Sequence, residues 1–235
     1  MRTLPQDDRP QGEEIRLRPY FFVFMKVSKL NYHPAFANTY VLGEEGEPCL
    51  LIDPGYNQNG VLNRYVEKHH QGKILAIVLT HGHFDHFYGL KDIENLESIP
   101  LFLSEEDFVC LTDPKKNASF DLAEPFSLDK DVNPYFLEDE DETKIGNFEF
   151  ETIATPFHTK GSICLYFKQE GVLFSGDTLF KLGVGRDDLP HAAPKEKETS
   201  LKRLFALSLD TLVYPGHGSK TTIGDEKPYL NDYLN

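Results

Sequence analysis

Short apolar runs broken by Gly, Pro and Asp recur along the chain, and they predict strands more often than helices. VLGEEGEPCLLIDPG reads as two strands around a Glu-Gly turn, a hairpin by composition. KILAIVLT is a continuous apolar run between turn signals, the pattern of a strand buried on both faces. SICLYF alternates like a strand, and the acidic segment LEDEDE, residues 137–142, reads as a solvated loop ahead of the strand NFEFETIAT. Helical spacing appears at Val61, Leu62, Tyr65 and Val66, and again at Leu201, Leu204, Phe205 and Leu207 in KETSLKRLFAL. A further helix is expected over residues 87–96, and Ser104 is placed to cap another at SEEDFVCL. The aromatic run at residues 20–24 alternates well enough to join a sheet as an edge strand.

The densest chemistry lies directly after KILAIVLT. THGHFDH, residues 80–86, puts His81, His83, Asp85 and His86 within six positions. Imidazole is the commonest neutral metal ligand, and a neighbouring carboxylate suits a hard divalent ion. In a loop leaving a strand, His81 and His83 can point the same way while Asp85 and His86 face a neighbouring position. This spacing reads as half of a two-metal hydrolytic centre. Three more apolar runs end in a Gly or Pro break beside one ligand-type residue: His158 in FETIATPFHTKGS, Asp177 in GVLFSGDTLF and His217 in DTLVYPGHGS. A single Asp after a strand is usually a turn or helix cap, but the repeated arrangement builds a ligand set at strand ends. His33, His69, His70 and His191 lack such a setting and take the ordinary structural reading.

In this order, THGHFDH, TPFHTKGS, SGDTLF and YPGHG resemble the motif set of the metallo-β-lactamase superfamily. GRDDLP and TTIGDEK narrow the likeness to its compact glyoxalase II-like hydrolases, over a span from about Lys26 to the C-terminus. The resemblance implies a four-layer αββα sandwich of mixed α/β class. It assigns His81, His83 and His158 to a first metal and Asp85, His86 and His217 to a second, with Asp177 bridging them. The implied cofactors are two divalent ions, zinc first, with iron or manganese also compatible with His and Asp ligands. The implied reaction is cleavage of a thioester of the hydroxyacylglutathione type (S-lactoylglutathione) by a bridging hydroxide, with Asp85 catalytic. Asp53, in LLIDPG, reads either as a carboxylate orienting a ligand histidine or as an ordinary Asp-Pro-Gly turn.

Two positions depart from the family pattern, and both bear on substrate choice. Lys160 stands where proline is usual, and Phe87-Tyr88-Gly89 replaces a small Gly-Gly pair. Lys160 reads as a solvated lysine or as a cation for a substrate carboxylate. Tyr88 reads as packing or as a hydrogen-bond donor, and Arg186 as a partner of Asp188 or a substrate contact. The chain ends with PYLNDYLN soon after YPGHG, so the helical domain that contacts glutathione in full glyoxalase II is expected to be absent. Another acyl thiol, a lactone or an ester is then a further expected substrate. A mononuclear iron persulfide dioxygenase and a metal-binding protein without turnover are the alternative readings on the same fold.

Length and composition bound these readings. A chain of 235 residues, 40% hydrophobic and without a linker, suits one core, so residues 25–235 are expected to form a single domain after an extension at 1–24. Three widely spaced cysteines, Cys49, Cys110 and Cys164, argue against a disulfide framework, and none is placed like a metal thiolate. The charged, proline-bearing N-terminus lacks the apolar stretch of a secretory signal, and YFFVFM is too short to span a bilayer. A net charge of −14 without dense Lys and Arg clusters weighs against nucleic acid as a partner. The expectation is a cytoplasmic protein, free of membrane, acting on a small acyl substrate.

Overall fold

Alternation along the strands sorts side chains into three apolar layers. The computed structural model describes residues 25–31 and 33–234, so the extension at 1–24 and the edge strand expected at 20–24 lie outside the described residues. One six-stranded sheet runs β1 (Val27–Leu30), β2 (Thr39–Leu42), β3 (Cys49–Ile52), β4 (Ile74–Val78), β5 (Pro100–Leu103) and β6 (Asn133–Phe136), in that order. Its β1 to β3 form an antiparallel meander, and β3 to β6 are parallel. A second sheet contains β7 (Glu142–Ile145), β8 (Phe148–Ala154), β9 (Ile163–Phe167) and β10 (Val172–Gly176). A small hairpin of β11 (Leu179–Phe180) and β12 (Gly183–Val184) follows, and the second sheet then gains β13 (Leu212–Pro215) and β14 (Thr221–Thr222). Its strand order is β14-β13-β10-β9-β8-β7, with only the β10–β13 pair parallel.

Tyr40, Leu42, Leu50, Ile52, Ala76 and Val78 point from the first sheet into the central layer, where they meet Phe150, Leu165, Phe167 and Phe174 of the second. The intervening residues Val41, Leu51 and Ile77 face outward, against Leu62 and Val66 of helix α1 (Val61–His70). On the other outer face, Ile153, Cys164, Leu173 and Val213 pack with Leu201 and Leu204 of the late helix (Lys197–Leu204) and with Phe205 beyond its end. Helices therefore cover both outer faces of two packed sheets, an αββα sandwich.

Two local expectations are corrected. Residues 87–96 do not form an α-helix: a short α2 (Phe84–Phe87) starts inside the histidine motif and passes into a 3-10 turn at Tyr88–Asp92. Backbone contact explains the change, because the amide of Gly89 donates to Pro54 O at 3.0 Å and Asn95 turns to φ 51°. Ser104 does occupy the N-cap position of α3 (Glu105–Phe108), but its side chain makes no cap hydrogen bond. The LEDEDE segment is exposed at Glu138, Asp139 and Glu140 yet tied down: Asp141 Oδ2 accepts the Glu138 amide, Asp139 Oδ1 accepts the Ala154 amide, and Glu142 already begins β7. Among the described residues, no helix is long and apolar enough to cross a membrane.

Candidate metal centre

Four strand ends deliver the chemistry. The loop after β4 carries His81, His83, Asp85 and His86, and His158, Asp177 and His217 follow β8, β10 and β13. His81, His83, His86 and His158 are buried, with 0–3% of each residue exposed. Ring centroids lie 4.8 Å apart for His81 and His83, 4.4 Å for His83 and His158, and 5.4 Å for His86 and His217. Asp177 sits among them, with Oδ1 3.2 Å from His86 Nε2 and Oδ2 3.5 Å from His158 Nε2 and 3.6 Å from His217 Nε2. Asp85 Oδ2 is 3.0 Å from His217 Nε2. His217 and Asp85 are the more open members, with side chains 35% and 17% exposed, so the centre faces solvent on their side.

Three of these donor groups could each hold a metal ion, with ligand atoms inside a group no more than 4.8 Å apart: His81, His83 and His158; Asp85, His86 and His217; and His81, His86 and Asp177. Hydrogen bonding on the far side of the rings supports this. His158 Nδ1 donates to Arg186 O at 2.7 Å and His86 Nδ1 to Asp53 Oδ2 at 2.9 Å, since both partners are acceptors. Thr80 Oγ1 gives its proton to Asp53 Oδ2 at 2.7 Å and lies 3.2 Å from His81 Nδ1, which it can accept. A proton fixed on Nδ1 leaves the Nε2 lone pair pointing inward. Nε2 of His81, His83, His86 and His158, together with Asp177 Oδ1, are buried and have no hydrogen-bond partner. Buried polar atoms are normally satisfied, so five converging unpartnered donors fit cations at their centre. The backbone leaves room for nothing bulkier: a Cβ on Gly216 would fall 2.2 Å from Asp177 Oδ1 and 2.6 Å from His86 Cε1.

The electrostatics agree with that fit. Burial and the neighbouring His86 and His158 push the His81 pKa well below its usual value, and burial beside His158 takes His83 down to about 3. Both therefore offer neutral rings at pH 7. Burial lowers the pKa of His86, but the carboxylates of Asp53, Asp177 and Asp85 outweigh it and raise it well above its usual value, so a cation at Nε2 would displace a proton held there by the same negative field. Burial would raise Asp177 and Asp85, yet the surrounding histidines hold both carboxyls below the usual range and keep them ionised.

The remaining predicted positions divide. Asp53 is fully buried and accepts the Thr80 amide at 2.8 Å besides Thr80 Oγ1 and His86 Nδ1, so it spans the ligand loop rather than merely turning the chain. Tyr88 packs against Phe126, with centroids 4.6 Å apart, and carries the Lys91 ammonium 3.6 Å above its ring, which is a packing position. Arg186 forms an exposed, solvent-screened pair with Asp188 at 2.7 Å, while its carbonyl is what reaches His158. Lys160 is exposed and lines a cavity of about 290 Å³ that also holds Glu105, Glu106, Glu138 and Asp139. Sequence reasoning missed Asn38 and Tyr40, just before and within β2, which brace the turn ahead of His217: Asn38 Nδ2 and the Tyr40 hydroxyl donate to Pro215 O at 2.9 and 2.6 Å. It also missed Asp107 and the place of Cys110 and His191 beside it, a fourth group whose donor atoms lie within 4.8 Å. No local pattern marks these contacts, because their partners lie far away along the chain.

Comparison with known proteins follows the same lines. A sequence profile described as the metallo-beta-lactamase superfamily matches residues 33–217. The chain is 34% identical over 216 residues to the probable metallo-hydrolase YqgX of Bacillus subtilis (strain 168), covering 89% of this chain and 99% of that one. It is 31% identical to the hydroxyacylglutathione hydrolase GloC of Haemophilus influenzae (strain ATCC 51907 / DSM 11121 / KW20 / Rd), over 83% of this chain and 92% of GloC. Among solved structures, the BLEG-1 B3 metallo-beta-lactamase superposes with a TM-score of 0.80 at 32% identity, over 89% of this chain and all (100%) of that one. TTHA1623 in a di-iron-bound form gives 0.72 at 33% identity, over 86% and 97%.

Proposed function

The chain belongs to the metallo-β-lactamase superfamily, and on that premise we propose that it is a dinuclear metal-dependent hydrolase cleaving a thioester of the hydroxyacylglutathione type. The observation that carries the dinuclear part is the convergence of five buried, unpartnered donor atoms from His81, His83, His86, His158 and Asp177. The support for a thioester is the likeness to a hydrolase that carries that name.

In this reading His81, His83 and His158 hold one ion, Asp85, His86 and His217 hold the other, and Asp177 lies between them. Two dications bound there supply a Lewis acid for the carbonyl, a water acidic enough to react near pH 7, and a counter-charge for the departing thiolate. The protein's own groups do the rest. Asp85, ionised and partly open to solvent, accepts a hydrogen bond from the attacking water and orients it. Asp53, Arg186 O and Thr80 Oγ1 accept from Nδ1 of His86, His158 and His81, so those three rings face inward through Nε2. The water oxygen adds to the carbonyl carbon, the C–S bond then breaks, and one proton of the water ends on the departing sulfur, giving a carboxylic acid and a thiol. Zinc, iron and manganese all suit this donor set, and a neighbour on the same fold is di-iron-bound.

The test is metal content per chain on protein purified without chelator, with S-lactoylglutathione hydrolysis assayed in parallel. Two equivalents with thiol release are expected. Two equivalents without thiol release would remove the thioester and leave the metal centre. One equivalent of iron with oxygen uptake on a persulfide would replace the hydrolase altogether.

A further inference from the structure

Asp107 is no part of the donor set, yet it is fully buried and four donors end on it. Its Oδ2 accepts the Gly82 amide at 2.7 Å and Thr159 Oγ1 at 2.7 Å. Its Oδ1 accepts the Gly161 amide at 2.8 Å and His191 Nε2 at 3.0 Å. The ring nitrogen must be the donor there, because its other neighbour is Glu106 O, also at 3.0 Å. Gly82 lies between His81 and His83, and Thr159 and Gly161 lie one and three residues after His158. One carboxylate thus grips both loops that carry the first histidine group.

The approach is close enough to require glycine on both sides. A Cβ at Gly161 would sit 2.6 Å from Asp107 Cγ, and one at Gly82 would sit 2.5 Å from Cys110 Cβ and 3.0 Å from Asp107 O. His191 reaches this position with φ 73°, a left-handed conformation unusual for a non-glycine residue, while its carbonyl accepts the Lys160 amide at 3.0 Å. Asp53 makes the corresponding contacts at the other end of the ligand loop, to Thr80 and His86. The two buried carboxylates divide the loop between them.

We infer that Asp107, seated by His191, is a positioning residue that sets the spacing of His81, His83 and His158 and so the affinity of the first metal subsite. The inference rests on the metal-centre reading above. A rival use of the same residues is a separate ion held by Asp107, Cys110 and His191, whose donor atoms also lie within 4.8 Å. It is disfavoured because both Asp107 oxygens already accept two donors each, and burial, with Asp107 adding to it, raises the Cys110 pKa and keeps the thiol protonated.

The experiment is a Co2+ titration of the full-length apo-protein, followed by visible absorption and by the shifted imidazole N–H proton signals. Those signals assign each binding event to the subsite of His81, His83 and His158 or to that of His86 and His217. Asp107→Asn turns one acceptor into a donor facing an N–H. It is expected to weaken the first subsite by ~10–100-fold, the range for outer partners of metal ligands, and to leave the second unchanged. His191→Ala should shift the same subsite less, and His191→Gln, which keeps a donor, should restore it. That pair keeps the test valid if Asp107→Asn does not fold. Equal weakening of both subsites, or of neither, overturns the inference while sparing the metal centre. Three Co2+ per wild-type chain falling to two in Asp107→Asn also overturns it, in favour of the separate ion. Wild type that takes up no Co2+ overturns the metal-centre reading and this inference with it.

Discussion

Asp177 turns one carboxylate oxygen toward His86 and the other toward His158 and His217. Removing it deprives both proposed ions of a ligand and leaves three histidines facing one another without their shared counter-charge. Asp177→Ala is therefore expected to bind less than one equivalent of metal and to lose kcat/KM by more than the ~10–100-fold typical of replacing an outer partner. Elemental analysis beside the rate assay checks this; two retained equivalents with full turnover would remove the bridging role. The seven proposed donor positions stand out in the sequence because each lies just past a hydrophobic strand, and His158, Asp177 and His217 also follow a Gly or Pro break, a signal only a few residues long. Asp107 was not, because Gly82, Thr159, Gly161 and His191 lie 25, 52, 54 and 84 residues away from it in sequence. In the sequence it is one more acid in a short helix.

At the scale of elements, the strands were readable because an α/β sandwich writes a period-2 pattern on them. Leu50 and Ile52 face the second sheet while Leu51 faces α1. The segment after the histidine motif was not readable, since its form is decided by the Gly89 contact with Pro54 O rather than by its own spacing. The turn after β13 shows the same dependence on a partner. Gly216 donates its amide to Gly176 O at 2.8 Å, and a Cβ there would fall 2.2 Å from Asp177 Oδ1 and 2.6 Å from His86 Cε1. Gly216→Ala is expected to cost about 1–3 kcal/mol of stability, as overpacking does, and to lower metal affinity because the new methyl displaces Asp177 Oδ1. Thermal melts and metal titration of the variant read the two effects separately. An unchanged metal affinity would mean that the backbone can retreat from the centre.

For the whole molecule, the donors come from both sides of the central apolar layer. His81, His83, Asp85 and His86 leave the first sheet, whereas His158, Asp177 and His217 leave the second. The protein already ties the two together there, through Ile163 N to Thr80 O at 2.9 Å and Asn38 Nδ2 to Pro215 O at 2.9 Å. Ions held in the proposed centre would add to these links, so chelation should lower the melting temperature. The expected loss is about 2.7 kcal/mol for each site that had been held at roughly 100-fold its Kd. A melting temperature indifferent to chelator would place bound metal outside this junction. The most direct test of the central claim is anomalous diffraction at the metal edge from crystals of the loaded protein. Two peaks are predicted, one against Nε2 of His81, His83 and His158, the other against Asp85, His86 and His217, with Asp177 touching both. A single peak, or peaks away from these seven residues, would contradict the dinuclear centre.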